Sequence, residues 1–139
     1  MTTQINNDSL KFKDITAMII GCAMKVHREL KSGFQEYIYQ RALEIEIKKS
    51  GLLFMREYEM PIYYFGEKIG LRKVDFFVEN KIMVELKAKT LLENVDLAQS
   101  LNYLEASGIE IGLLINFGTA SLQFKRIHSR KISNFPNDQ

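Results

Sequence analysis

Two carboxylates and a lysine lie in the most apolar part of this 139-residue chain: Asp75, Glu85 and Lys87. All three fall at odd-numbered positions of two predicted strands in the stretch VDFFVENKIMVELKAK, residues 74–89. Because successive strand residues point to opposite sides, this spacing predicts that the three share one face of a sheet. Carboxylate oxygens are hard ligands that suit Mg²⁺ or Mn²⁺. The spacing therefore indicates a metal site with a cationic side chain beside it.

The apolar residues of the two strands predict how the strands pair. Pairing must keep both apolar faces on one side, since a shift of one residue would turn one face to water. The tightest register pairs Val78 with Ile82 and puts Asp75 directly opposite Glu85. It leaves residues 79–81 as the loop, whose asparagine tolerates the left-handed conformation that such loops need. The predicted core-facing residues are Val74, Phe76, Val78, Ile82, Val84, Leu86 and Ala88.

Two interpretations of the acidic pair stay open at this point. Like charges directly opposite each other destabilise a strand pair, and a bound cation would reverse the sign of that effect. Alternatively, Lys73, Lys87 and solvent neutralise the acids, and the face has no function. An aspartate followed by Glu-x-Lys is a common pattern by chance, so the spacing alone does not decide between them.

Hydrophobic periodicity predicts the elements that would position these residues, in the order helix, helix, three strands, helix, two strands. The predicted helices span 14–30, 34–50 and 94–107, and the predicted strands include 54–65, 82–88, 111–118 and 121–128. Gly66 and Gly70 are predicted to flank the turn of the first hairpin, and Pro61 indicates a bulge or an edge strand. The continuous apolar run IGLLINFG is typical of a strand buried on both faces.

Composition restricts the class of protein. Apolar residues make up 46% and charged residues 26%, which is typical of a soluble globular domain, and no apolar run is long enough to span a membrane. The chain start lacks the pattern of a signal peptide. The single cysteine, Cys22, excludes an intrachain disulfide and a CxxC zinc site, and favours a cytoplasmic location. We expect one domain over residues 1–139, with flexible ends at 1–9 and 134–139.

Several motifs together resemble a known family. Asp75 followed by ELK at residues 85–87 resembles the PD-(D/E)xK nuclease superfamily, although Val74 stands in place of the proline. GFQEYIY, residues 33–39, resembles the signature of the GxxExxY family within that superfamily, as do VHREL, AQSLNYL and GLLINFG…KRI. The resemblance covers residues 26–127. It implies an α/β, restriction-endonuclease-like core, a central mixed β-sheet flanked by helices in the order α-α-β-β-β-α-β-β.

The resemblance also implies a role for each matching residue. Asp75 and Glu85 would hold a divalent metal ion, Mg²⁺ or Mn²⁺, with help from the backbone carbonyl of Leu86. Glu36, which heads an otherwise apolar stripe of the second helix, would add a further acid at the metal or its water shell. Lys87 would orient or polarise the attacking water and stabilise charge on the phosphate.

The later helix and one histidine complete the candidate residues. Gln99 and Tyr103, four residues apart on one helix face, would line the site and contact substrate or Lys87. His27 is a further metal candidate, because some nucleases of this superfamily place an upstream histidine on the metal; the alternative is a hydrogen-bonded histidine near the surface. Arg72 would meet a phosphate or form a surface salt bridge. A phosphate-tracking patch or a solvated face is expected at Lys125, Arg126 and Arg130.

The expected activity is metal-dependent hydrolysis of phosphodiester bonds, with DNA as the expected partner and no membrane partner. A net charge of +2 permits nucleic-acid contact without requiring it. Because one domain of this size shows no sequence-reading module, we expect little sequence specificity, a homodimer, or a partner protein that supplies the target. One alternative is a catalytically silent nucleic-acid-binding or scaffolding protein with the nuclease fold. Another is a structural interaction protein that binds no metal.

Overall fold

The computed structural model describes residues 12–131, so both predicted flexible ends, 1–9 and 134–139, lie outside the described residues. The elements of the described part are α1 (Lys13–Leu30), α2 (Glu36–Ser50), β1 (Phe54–Tyr64), β2 (Glu67–Val78), β3 (Ile82–Lys87), α3 (Asn94–Ala106), β4 (Ile111–Asn116) and β5 (Gln123–His128). Their order is the predicted one. Within residues 12–131, no helix combines the length and the apolar character that crossing a membrane requires.

The strands form one mixed sheet in the order β1-β2-β3-β4-β5. β3 and β4 run parallel, whereas the other neighbouring strands are antiparallel. A parallel pair needs a long crossover connection, and α3 supplies it here. The mixed sheet with flanking helices confirms the predicted architecture.

Two apolar clusters lie on opposite faces of the sheet. The first joins α1 and α2 to the sheet and includes the predicted apolar stripe of α2, Tyr39, Leu43 and Ile47. The second lies beneath α3 and centres on the fully buried Leu104. All six residues of β4 are buried, which confirms the prediction of a strand covered on both faces.

The predicted register of β2 and β3 is confirmed at the end nearest their loop. Val78 pairs with Ile82, and the ladder continues for two more pairs as far as Phe76 and Val84. Asn80 adopts the predicted left-handed conformation, with φ of 55°. The loop therefore fixes the register as expected.

The alternation of side chains breaks at Asp75. Phe76 packs in the cluster of α1 and α2, whereas Val74 packs in the cluster beneath α3. On the neighbouring strand the pairing skips Glu57, whose φ is +54°. The prediction that Val74 shares a face with Phe76 is therefore wrong. Irregularities of this kind re-aim side chains and are common beside active sites.

The tip of the first hairpin also differs from the prediction. β2 begins at Glu67, and Gly70 pairs with Ile62 inside the ladder rather than flanking the turn. Pro61 lies on β1, which is an edge strand as predicted, and the pairing shifts between Ile62 and Tyr63. The hairpin is thus longer and its turn tighter than the glycine spacing indicates.

Candidate active site

Four charged residues from three elements meet near the carboxyl end of β3: Glu36, Asp75, Glu85 and Lys87. The pKa of the Glu36 carboxyl is raised, first because the surrounding protein partly desolvates this exposed residue and next because Asp75 is negatively charged; Lys87 opposes this shift and Glu85 adds to it. The first residue of α2, one residue of β2 and two residues of β3 are therefore within electrostatic reach of one another. The structure brings together the three candidate acids and the lysine.

Asp75 accepts a hydrogen bond on each carboxylate oxygen. Gln40 Nε2 donates to Oδ1 at 2.8 Å, and the backbone N–H of Leu86 donates to Oδ2 at 2.8 Å. Arg56 in turn donates to the Gln40 side-chain oxygen at 3.3 Å. Burial raises the pKa of Asp75, although the bonds from Leu86 and Gln40 oppose that shift. Because a carboxylate offers about four lone-pair sites, both oxygens can still accept a cation.

Glu85 is 5% exposed and is engaged by Arg72. The guanidinium donates from Nε to Oε2 at 2.9 Å and from Nη2 to Oε1 at 2.7 Å. It also lies over the ring of Tyr103 on α3, with its central carbon 4.1 Å from the ring centroid. Of the two expectations for Arg72, the structure shows a salt bridge, and that salt bridge is largely buried. Arg72 thus neutralises the second acid of the motif.

The charge of Glu85 acts on the pKa of Asp75, but the two acids do not form the predicted cross-strand pair. The ladder between β2 and β3 ends at Phe76, one residue short of Asp75. The carboxylate of Asp75 lies against Gln40 of α2, whereas Glu85 is bound by Arg72, which in turn contacts Tyr103 of α3. Each acid therefore has its own partners, and the acids share a site rather than a strand face.

Tyr39 holds the turn that precedes Glu36. Its hydroxyl donates to the carbonyl of Lys31 and accepts the backbone N–H of Phe34 at 3.2 Å. Gly33 within this turn has φ of +118°, a conformation that glycine adopts without a steric penalty. The turn places Glu36 as the first residue of α2, where the helix dipole favours an acid.

Asn116 fixes the segment that follows Lys87. This fully buried side chain accepts the Lys89 N–H at 2.8 Å and donates both to the Lys89 carbonyl and to Gln123, each at 3.0 Å. Beside it, the N–H of Phe117 donates to the Lys87 carbonyl at 2.9 Å. The backbone around Lys87 is therefore held from β4, and sequence reasoning missed this arrangement along with the partners of Asp75.

The remaining candidates lie at varied distances from the acids. Tyr103 contacts Arg72, whereas Gln99, one turn earlier on α3, is exposed, and its side chain forms no hydrogen bond with a described residue. His27 is buried, and its Nε2 lies 2.9 Å from the carbonyl of Thr119, a contact in which the ring nitrogen donates. The contact matches the hydrogen-bonded histidine of the alternative, although the side chain is buried rather than near the surface.

The carboxylates suit a hard divalent cation in their chemistry, since Mg²⁺ and Mn²⁺ prefer oxygen ligands. Among residues 12–131, however, no three Asp, Glu, His or Cys side chains form a group that could hold a metal ion as they stand. Asp75 is compatible with a cation, whereas the oxygens of Glu85 already hold a guanidinium. The carboxylates therefore suit a hard cation in their chemistry, while Glu85 is engaged by Arg72.

Comparison with known proteins extends these observations. A family model described as the PD-(D/E)XK nuclease superfamily matches residues 13–127. The crystal structure of SSO0001 is similar in fold, with a TM-score of 0.51 and 19% sequence identity. That match covers 73% of this chain and 55% of SSO0001, so the chain spans about half the length of that protein. No curated protein matches the sequence.

Proposed function

The chain belongs to the PD-(D/E)XK nuclease superfamily, and from this membership we propose that it is a metal-dependent nuclease that hydrolyses phosphodiester bonds of DNA. Nucleic-acid binding is implied for this superfamily, and its members generally use divalent metal ions. One observation supports the proposal above all. Glu36, Asp75, Glu85 and Lys87, which match the motifs by sequence, lie within electrostatic reach of one another.

Each residue of this group has a proposed task. Asp75 and Glu85 would hold Mg²⁺ or Mn²⁺ with the backbone carbonyl of Leu86, and Glu36 would add a further acid. When bound, the metal ion would neutralise the phosphate and lower the pKa of a bound water. Lys87 would orient that water and stabilise charge that develops on the phosphate. Its backbone carbonyl is held by Phe117, which limits where its ammonium can reach.

Two further assignments are proposals of the same kind. Gln99 would contact the substrate from the exposed face of α3, and Tyr103 would act through Arg72. Membership of the GxxExxY family is supported by the distinct task of each signature residue. Gly33 permits the turn, Glu36 stands at the site, and Tyr39 holds the turn in place.

A second candidate function is a catalytically silent nucleic-acid-binding or scaffolding protein. It is favoured by the guanidinium that occupies both oxygens of Glu85. Loss of one motif residue is the usual mark of a silent copy, and the acids and Lys87 are all present in this sequence. We therefore place catalysis first.

The expected partners and location stay predictions: action as a homodimer or with a partner protein, and a cytoplasmic location.

Cleavage of a labelled panel of single- and double-stranded DNA and RNA tests the proposal. We expect the wild-type protein to cut DNA with Mg²⁺ or Mn²⁺ and to stop when a chelator is added. Lys87→Ala should lower the cleavage rate by about 10²–10³-fold, the usual loss when one group that stabilises transition-state charge is removed. Lys49→Ala, at the opposite end of α2 from Glu36, is the matched control and should cut like the wild type.

Two negative outcomes have different meanings. Mn²⁺ binding without cleavage of any substrate would contradict the nuclease and favour the silent nucleic-acid-binding protein. Absence of both metal binding and cleavage would favour the structural interaction protein.

Cleavage by Lys87→Ala at the wild-type rate would remove the lysine from the mechanism while leaving the metal-dependent activity in place.

A further inference from the structure

Arg72 and a divalent cation would both bind the two carboxylate oxygens of Glu85. Both carboxylate oxygens of Glu85 accept hydrogen bonds from the guanidinium, at 2.7 and 2.9 Å. A metal ion held by Glu85 would have to approach these same oxygens against the charge of Arg72. Two cations a few ångströms apart repel each other, and the repulsion is stronger beside the buried Glu85 than it would be in bulk water.

The pair of Arg72 and Glu85 is more than a surface ion pair. The side chains are 22% and 6% exposed, respectively. Planar bidentate contacts between arginine and carboxylate are among the strongest hydrogen bonds in proteins. The ring of Tyr103 covers one face of the guanidinium and adds a cation–π contact. In the structure as it stands, Arg72 is the counter-ion that makes burial of Glu85 tolerable.

The two acids of the motif differ in what holds them. Gln40 and the N–H of Leu86 are neutral donors, and they leave lone pairs of Asp75 open. Arg72 brings a full positive charge to Glu85 and uses both of its oxygens. Asp75 can therefore receive a cation with its partners in place, whereas Glu85 can do so only when Arg72 moves away.

We propose that Arg72 and the divalent metal ion exchange at Glu85, so that Arg72 is displaced when the metal binds and thereby sets the metal affinity of the site. This inference rests on the proposed metal-dependent function. The ring of Tyr103 lies on α3 rather than on Glu85's strand, so it offers the displaced guanidinium a contact that does not depend on the carboxylate. Arg72 is in this sense a positioning residue that acts through Glu85.

Mn²⁺ binding measured by electron paramagnetic resonance tests the exchange without any need for cleavage. Arg72→Gln should bind Mn²⁺ about 10–100-fold more tightly than the wild type, the range expected when a charge-assisted contact no longer competes. Arg72→Lys keeps the charge but loses the bidentate geometry, and it should bind with intermediate affinity. It also serves if Arg72→Gln folds poorly.

Arg130→Gln is the matched control. Arg130 donates to both oxygens of the buried Glu105 at 3.0 and 3.1 Å, so the substitution breaks a similar pair on another part of the fold. Its Mn²⁺ affinity should equal that of the wild type. Thermal unfolding provides a second readout. Arg72→Gln should melt below the wild type without metal and gain more from Mn²⁺, because a tighter ligand stabilises the folded state more.

Each contrary outcome overturns the exchange. Equal or weaker Mn²⁺ binding by Arg72→Gln would mean that Arg72 stays on Glu85 or helps to hold the metal. If Arg72→Lys bound like the wild type while Arg72→Gln bound more tightly, net charge rather than the bidentate pair would set the affinity. Absence of Mn²⁺ binding by every variant would overturn the exchange together with the metal-dependent function, whereas the outcomes with measurable Mn²⁺ binding overturn the exchange alone.

Discussion

Tyr39 supports the candidate site through a hydroxyl that does not contact the acids. Its ring is fully buried and stacks on Phe117 with centroids 4.6 Å apart. Tyr39→Phe would keep this stacking and remove only the bonds to Lys31 and Phe34. We expect the substitution to lower the free energy of unfolding by about 0.5–1.5 kcal/mol, the usual net contribution of a hydrogen bond, because Lys31 and Phe34 are exposed and water can replace the lost partner. Urea denaturation measures this loss.

Tyr39→Phe should also slow cleavage, because the turn that positions Glu36 loosens. Tyr37→Phe is the control, since Tyr37 lies on the same helix and is 57% exposed. It should change neither stability nor cleavage. Wild-type stability in Tyr39→Phe would show that the turn holds without the hydroxyl, and the aromatic ring alone would then account for this tyrosine.

At the scale of single residues, the sequence predicted which side chains matter better than it predicted their partners. The types and spacing of Asp75, Glu85 and Lys87 predicted that these three charged groups lie near one another, as they do in the structure. The strict alternation behind the predicted acid pair fails at Asp75, where the pairing with β1 skips Glu57, a residue that has positive φ but is not a glycine or an asparagine. Because no residue type indicates that distortion, the sequence could not identify Glu85 as the salt-bridge partner of Arg72.

At the scale of elements, the segments after β3 and β4 approach each other closely. A Cβ atom added to Gly118 would lie 2.1 Å from the backbone oxygen of Lys89 and 2.5 Å from its nitrogen. Gly118→Ala must therefore push these segments apart. We expect a loss of about 1–3 kcal/mol in the free energy of unfolding, typical of an overpacked site. Cleavage should fall too, because the displaced segment follows Lys87 directly.

Gly21→Ala is the control for this prediction. Gly21 lies within α1, and a Cβ atom there would have no neighbour within 4 Å. The substitution should raise the free energy of unfolding by roughly 0.5–1 kcal/mol, since alanine favours a helix over glycine. Both variants can be compared in one series of urea denaturation curves. Equal stability of Gly118→Ala and the wild type would contradict the close approach.

Periodicity predicted the elements but not the contacts between their ends. Helical and strand spacing placed every helix and strand of the described part in order. The hydrogen bonds of Asn116 to Lys89 depend on which strands become neighbours, and the sequence does not state this. One signal was present: an asparagine in the apolar run IGLLINFG must find partners when it is buried. Gly70 shows the opposite case, a turn signal inside a strand.

At the scale of the whole molecule, the acids make the stability of the fold depend on pH in two opposite directions. Burial raises the pKa of Glu36 and of Asp75, so the folded protein binds their protons more readily than the unfolded chain does. Their contribution to stability therefore falls as pH rises through the raised values. The pKa of Asp96 is lowered, chiefly by its hydrogen bond from Lys89, and its contribution is lost as pH falls.

Glu105 belongs to the second group and joins distant parts of the chain. It lies on α3 and accepts the backbone N–H and the guanidinium of Arg130, which follows β5, at distances of 2.7 to 3.1 Å. Arg130, one residue of the predicted basic patch, therefore forms a structural ion pair with Glu105. The guanidinium of Arg130 holds the pKa of Glu105 below its usual range. The resulting stability is present above the ordinary value of glutamate and is lost as pH falls through the lowered value.

Glu105→Gln should therefore flatten the acid side of the stability curve. In metal-free buffer the wild type should lose stability below about pH 4.3, the ordinary pKa of glutamate. Glu105→Gln should be less stable at neutral pH, and its curve should approach that of the wild type as pH falls through the window between the ordinary and the lowered value. Urea denaturation at a series of pH values from neutral into the acid range compares the two curves. Glu29→Gln, at an exposed position of α1, should keep the wild-type slope. Parallel curves for Glu105→Gln and the wild type would mean that this ion pair does not link the fold to pH, and the acid sensitivity would then have to come from Asp96.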